Sequence, residues 1–220
     1  MSTTDNGALG NQAYDALKSA LMAGQLAPGE RVVMRQVAAS FGMSLTPVRD
    51  AINRLMAERV LEHGGLGQSG GARVPLVDAA QFQQLMMVRA SLEPDVAAAA
   101  AGVATSAELD AVEAQLKFMQ DAVRRGEVAR YFEAHWRFHF GIYALARMPV
   151  VMEIVEGIWL RSAPTLTLAS HGSQPSLRRF PMHTQAVAAL RAGDAAGVAQ
   201  AIRSDIDSAR RDIGALLPVR

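Results

Sequence analysis

From Asp78 to the C-terminus the chain carries almost nothing but helical periodicity. The breaks fall at "GVATSAE", "RRGEV", "RMP", "HGSQPS" and "RAGDAAG", which divide this part into about six helices joined by short connections. Helices tied so closely in sequence pack as antiparallel neighbours, the arrangement of a bundle. There is no sustained alternating pattern and no internal repeat. The larger part of the chain is therefore constrained to an all-helical fold.

The first third reads differently. In "NQAYDALKSALMAG", Tyr14, Leu17, Leu21 and Met22 share one face, and "LAPGE" makes a turn around Pro28-Gly29. A second short helix is expected with Val33, Val37 and Phe41 buried, broken by Gly42. A third is expected to start at Ser44 or Thr46, where Pro47 is tolerated because the first amides of a helix have no intrahelical partner. "RVLEHGG" and "GARVPLV" are short β-prone pieces around the glycine-rich "GGLGQSGG", which reads as a two-stranded hairpin. Three small helices followed by a wing make a winged helix-turn-helix over residues 10–76. Residues 77–220 make the helical domain, and the polar residues 1–9 are expected to be a disordered tail. The fold class is thus mainly α with one small β wing.

Composition narrows the function. The formal net charge is +1, which argues neither for nor against nucleic acid. Of 22 basic residues, 20 are arginine and only Lys18 and Lys117 are lysine. Arginine forks onto phosphate, carboxylate and guanine, although a GC-rich genome gives the same bias. The chain has no cysteine, so neither a disulfide framework nor a thiolate metal site is available. No apolar run reaches the length of a membrane span, and the N-terminus lacks the order of a signal peptide, so a cytoplasmic location is expected.

The segment "G..LAPGERVVMRQVAASFGMSLTPVRDAINRLMAERVLE" closely resembles the DNA-binding domain of GntR-family transcription regulators. The pieces "RASLEPDVAAAAA", "FHFGIYALARMPVVMEIVEGIW" and "HTQAVAALRAGDAAGVAQAI" resemble the ligand-binding FCD domain of the FadR branch. The two resemblances, in this order, cover nearly the whole chain after its first residues. They imply a transcriptional regulator, expected to be a repressor, rather than an enzyme.

A recognition helix reads bases with the side chains of its first turns. The stripe Val48, Ile52, Leu55 turns inward, so Ser44, Leu45, Thr46 and Arg49 lie on the opposite face. Arginine can bridge guanine O6 and N7, and a hydroxyl can bind phosphate or base. The alternative for Arg49 is a solvated side chain that pairs with Asp50 or Asn53. Arg35 on the preceding helix suits a phosphate or base contact, which the resemblance supports. The resemblance also places His63 and Gly64 where the wing nears the minor groove. Many relatives have arginine where this chain has Leu45, so the contact there becomes apolar and no relative's operator can be assumed.

His135 and His139 are four apart in "YFEAHWRFHFGIYALA", on the face of Tyr131, Phe138, Ile142 and Ala146. His183 shares a stripe with Phe180, Val187 and Leu190; Asp205 lies beside Val198, Ile202 and Ile206. The midpoint of 183 and 205 falls in the turn "AGDAAG", so in a hairpin the two side chains sit at one height. Three imidazoles and a carboxylate on inward faces make a divalent metal site, with zinc or nickel favoured and manganese or iron possible. Hydrogen-bonded core residues without a metal are the alternative. Metal-binding members of the branch carry, as the resemblance implies, an aspartate and then a histidine on one helix and histidines on the last two. Here His135 stands at the aspartate position and Asp205 at the last histidine position.

Arg89 opens "RASLEPD" and resembles the start of the family's ligand domain, which implies a small carboxylate effector bound bidentately. Its alternative is a surface ion pair with Glu93 at i,i+4. A metal-dependent hydrolase is disfavoured because Trp136 follows the first histidine where a glutamate base would stand. A ligand-free helical interaction module is the third reading. Since one recognition helix covers half a site, a homodimer on a palindromic double-stranded DNA operator is expected.

Overall fold

The computed structural model describes residues 3–65, 71–170 and 180–218. Helix α1, Thr3–Met22, begins well before the Asn11 that opens the periodic pattern. The backbone of residues 3–9 thus continues the helix instead of forming the expected tail, since no proline interrupts it.

After α1 come strand β1 (Arg31–Val32), helix α2 (Met34–Phe41) and helix α3 (Leu45–Ala57). Strands β2 (Glu62–His63) and β3 (Ala72–Arg73) complete a three-stranded antiparallel sheet in the order β1-β3-β2. Arg31 pairs with Arg73 and Glu62 pairs with the same residue from the other side. The expected two-stranded wing therefore gains a third strand from the turn before α2. A two-residue strand is too short to show alternation, which is why the sequence pattern misses it. Val33 accordingly caps α2 and is half exposed, while Ala38 is the buried residue of that helix. The tip of the hairpin, residues 66–70, lies outside the described residues.

Gly42 ends α2 in the left-handed conformation, φ 63°, with its N–H on the carbonyls of Ala38 and Ala39. Ser44 then stands at the N-cap of α3 in extended geometry. Val48, Ile52 and Leu55 are buried, as their spacing predicts. Tyr14 ties α1 to α3: its hydroxyl donates to Glu58 at 2.6 Å, and the Arg54 guanidinium lies over its ring, 3.7 Å from the centroid.

The second domain has six helices among the described residues: α4 (Ala79–Ala100), α5 (Ser106–Arg125), α6 (Val128–Leu145), α7 (Pro149–Leu166), α8 (Phe180–Ala192) and α9 (Ala195–Gly214). Capping boxes start α4 at Asp78 with Gln81, and α5 at Thr105 with Glu108. The hairpins α5–α6 and α8–α9 pack as neighbours, and α4 packs along α9. Among the described residues no helix is long and apolar enough to cross a membrane. Pro94 sits inside α4 and has no N–H for the carbonyl of Ala90. That carbonyl accepts instead from Arg203 Nη1 of α9 at 2.8 Å, so the gap in one helix becomes a tie to the next.

The two domains meet where α1 lies against α7 and α6. Lys18 pairs with Glu156 at 2.8 Å. Gly24, just past α1, has φ +66° and faces the Thr167 methyl and the Phe132 ring. A Cβ there would be strained by the left-handed backbone and would strike Thr167. Gly24→Ala is therefore expected to lower stability by at least about 1 kcal/mol, the cost of an L-residue in that conformation. Urea unfolding with an unchanged midpoint would show that the joint is not so constrained.

Candidate functional sites: a DNA-reading face and a buried histidine–aspartate cluster

Two sets of chemistry-bearing side chains stand out, one on each domain. On the first, Arg35 of α2 and Ser44, Leu45, Thr46 and Arg49 at the start of α3 are all exposed, as is His63 on β2. Ser44 makes no capping hydrogen bond with its side chain. Arg49 and Asp50 approach only to 3.9 Å, and both are more than half exposed. That contact is too long for a hydrogen bond and contributes little at such exposure. The Arg49 fork therefore remains available at the surface. Gly64 closes the wing by donating its N–H to Gly71 at 3.0 Å.

The second set is enclosed in the bundle. α6 supplies His135 and His139, α8 supplies His183 and α9 supplies Asp205, all buried. Each side chain offers one ligand atom, and these atoms lie within 4.8 Å of one another. The alignment expected from the α8–α9 turn is present, since Asp205 Oδ1 is 3.4 Å from His183 Nε2. Oδ2 is equally far from His139 Nε2. The rings of His135 and His139 have centroids 4.6 Å apart, and His183 sits 5.4–5.5 Å from both. Phe138 and Trp159 wall the cluster, with Trp159 5.3 Å from His139.

His139 Nε2, both nitrogens of His183 and Asp205 Oδ1 are buried without a hydrogen-bond partner. Buried polar atoms are rarely left so. Asp205 lies 3.4 Å from Nε2 of each of the two imidazoles, without the alignment of a hydrogen bond. One ligand atom from each of His135, His139, His183 and Asp205 would give a cation four donors, so this set fits a divalent metal in number and in kind, although only one nitrogen of His183 can face it.

Burial favours the neutral ring and holds the His139 pKa below its ordinary value, with Asp205 opposing in part. Burial works against the Asp205 carboxylate, yet the neighbouring His183 and His139 hold its pKa well below the usual range. A neutral imidazole beside an ionised carboxylate is the state a metal ligand set requires.

Arg89 and Glu93 form the i,i+4 pair that the sequence permits, but it is buried and not on the surface. Arg89 Nε and Nη2 donate to the two carboxylate oxygens at 2.7 and 3.1 Å. The guanidinium stacks on Trp159, 3.9 Å from its centroid, and the same ring lies 5.3 Å from His139. Burial would lower the Arg89 pKa, but the Glu93 charge raises it above the ordinary value. Tyr143, whose phenol is pushed well up by burial and by Glu93, joins the pair to His139. Sequence reasoning missed Tyr143 and Trp159. Tyr143 stands four residues beyond His139 on the same helix face, a signal that could have found it; Trp159 on α7 has no such signal.

A winged helix-turn-helix with an exposed face at the start of α3, joined to an all-helical domain, is the architecture of a DNA-binding transcriptional regulator. Residues 84–208 match the FCD domain and residues 9–65 match the bacterial regulatory proteins of the gntR family. The chain belongs to the GntR family of transcriptional regulators, in the branch that carries an FCD domain. It is 29% identical over 188 residues to the HTH-type transcriptional regulator McbR of Escherichia coli K12, covering 84% of each chain. With the uncharacterized HTH-type transcriptional regulator YdhC of Bacillus subtilis it shares 30% identity over 132 residues, 58% of this chain and 56% of that protein. The solved structure of E. coli McbR/YncC superposes with a TM-score of 0.82 at 28% identity, covering 94% of this chain and 95% of that one. A putative GntR regulator from Rhodococcus sp. RHA1 shares the fold, with a TM-score of 0.73 at 19% identity over 93% and 96% of the two chains. These relatives are regulators of transcription and not enzymes.

The His139 shift makes stability depend on pH. The unfolded imidazole takes up a proton near its ordinary value of 6.5, while the folded one resists until lower pH. Below 6.5 the unfolded state binds more protons, so the stabilising contribution is complete above that value and is lost as pH falls. The melting temperature of the metal-free protein is expected to drop between about pH 7.5 and about pH 5.5, with a shallower drop in His139→Gln. Equal slopes in the two proteins would contradict this.

Proposed function

We propose that the chain is a repressor that reads a palindromic DNA operator as a homodimer in the cytoplasm. Its helical domain would bind one divalent metal and a small carboxylate effector. The DNA part of the reading rests on the free Arg49 fork one turn into α3, beside Ser44, Leu45 and Thr46. Arg49 would take a guanine edge, Leu45 a thymine methyl, and Arg35 a phosphate or base. His63 and Gly64 would place the wing at the minor groove. Two copies are needed because one recognition helix covers half a two-fold site. Arg49→Ala is expected to weaken operator binding by about 1–3 kcal/mol at matched salt, the value of a bidentate base contact. Unchanged affinity in a titration of labelled operator would remove Arg49 from the readers.

The sensor part rests on the converging unpartnered atoms of His139, His183 and Asp205, with His135 as the fourth ligand. Zinc or nickel suits three imidazoles and a carboxylate; manganese or iron would suit a more open geometry. When bound, such an ion supplies a Lewis-acidic position for an effector carboxylate. The charges argue for this order of binding. Arg89 and Glu93 cancel, burial favours the neutral His139 ring, and the Asp205 carboxylate brings a negative charge that repels an anion. A divalent cation reverses that sign. Arg89 Nη1, which among the described residues meets the Met86 thioether at 3.9 Å, would be the donor left for the effector. The effector can shift DNA binding only through unequal affinity for two arrangements of the reading domains.

His139→Ala is expected to lose the metal and the effector response together, while operator binding by the apo protein stays nearly intact. Asp205→His is expected to be tolerated better than Asp205→Ala, because imidazole remains a ligand. Elemental analysis reads the first outcome directly. A parent protein that holds no metal after incubation with zinc, nickel or manganese would end this part of the reading.

A further inference from the structure

A chain of four buried side chains leads away from the cluster, and its hydrogen bonds have only one possible direction. Arginine can only donate, so both Glu93 oxygens accept: Oε1 from Arg89 Nε at 2.7 Å and Oε2 from Nη2 at 3.1 Å. The Tyr143 hydroxyl lies 2.7 Å from the same Oε2. It has one proton, and a carboxylate already held by a guanidinium has none to offer in return, so the proton points to Glu93. The other neighbour of that hydroxyl is His139 Nδ1, at 3.0 Å. Having spent its proton, Tyr143 can only accept there. The hydrogen bond therefore requires a proton on Nδ1.

We propose that Glu93 and Tyr143 are positioning residues that set the tautomer of His139, keeping its proton on Nδ1 and leaving Nε2 as the lone-pair nitrogen that faces Asp205. Neutral imidazole has a single N–H, so fixing one nitrogen fixes the other. The device is built from two i,i+4 pairs, Arg89 with Glu93 on α4 and His139 with Tyr143 on α6, joined by one bond between the helices. Turning the Tyr143 proton to His139 would set two acceptors, the phenol oxygen and Glu93 Oε2, against each other at 2.7 Å. His183 makes a contrast, because neither of its nitrogens has a hydrogen-bond partner to choose its tautomer. In metal sites the nitrogen not bound to the ion is commonly held by an outer partner that orients the ring. Tyr143, itself held by Glu93, occupies that place. This use of the tautomer rests on the proposed metal site; the tautomer itself does not.

Two-dimensional 1H–15N multiple-bond spectra of the 15N-labelled, metal-free full chain read the ring nitrogens directly. His139, identified by contacts to the Tyr143 ring, is expected to show a protonated Nδ1 and an unprotonated Nε2. Tyr143→Phe keeps the ring and removes the acceptor. Its His139 is expected to shift toward the Nε2–H form, and its zinc affinity to fall about 10- to 100-fold, as for other outer partners of metal ligands. An Nε2–H His139 in the parent, an unaltered tautomer in Tyr143→Phe, or an unaltered zinc Kd overturns the proposal. If the parent binds no zinc, the metal reading fails, and the spectra of parent and variant decide the tautomer on their own. The parent spectrum needs no variant to fold.

Discussion

The helical domain is organised around the cost of burying charge. Arg89, Glu93, His135, His139, His183 and Asp205 are all buried between helices whose other inward residues are mostly apolar. An isolated ion in such a place costs several kcal/mol, so each of these groups needs compensation from the fold. Arg89 and Glu93 compensate each other in bidentate geometry, and Tyr143 satisfies a remaining acceptor site. Asp205 is less well served. It has two imidazoles at 3.4 Å and one oxygen without a hydrogen bond. The domain thus holds one finished polar cluster and one unfinished one, linked through His139.

This asymmetry separates the polar groups that tie helices together from those that the proposed metal would complete. The Arg89–Glu93 pair ties two turns of α4 together and, through Tyr143, fastens α4 to α6. The carbonyl freed by Pro94 fastens the same stretch of α4 to α9. Three helices are thus fixed around the site before any ligand arrives. The unfinished cluster then sits in a rigid frame, where a cation can be recognised by geometry and not merely by charge.

α6 is common to both halves of the molecule. Phe132 near its start lies against Gly24, where the reading domain joins. His135 follows less than one turn later and His139 one turn beyond that. The reading face itself lies on the far side of α3 from the stripe Val48, Ile52, Leu55, which holds that helix in its own small core. The side chains on that face are thereby relieved of any packing duty, and Leu45 is exposed without loss to the core.

Much of this was legible in the sequence. The helical period after Asp78, the stops at Gly42 and Gly126, and the stripe that turns Arg49 outward all depend on local backbone preference and spacing, which a sequence carries directly. The convergence of His135, His139, His183 and Asp205 was legible for the same reason: i,i+4 spacing and the symmetry of a hairpin fix heights along helices. Strand β1 was not legible, because two residues are too few to show a period. Nor was the environment of Arg89. Its spacing to Glu93 allowed a pair in water or in the core, and only the packing of α7 and α6, with Trp159 over one face and Tyr143 on the carboxylate, decided for the core. The sequence determines which groups lie on a face and how far apart they stand along it. The tertiary structure decides what covers that face, and with it whether a charge is solvated, paired or left waiting for a partner.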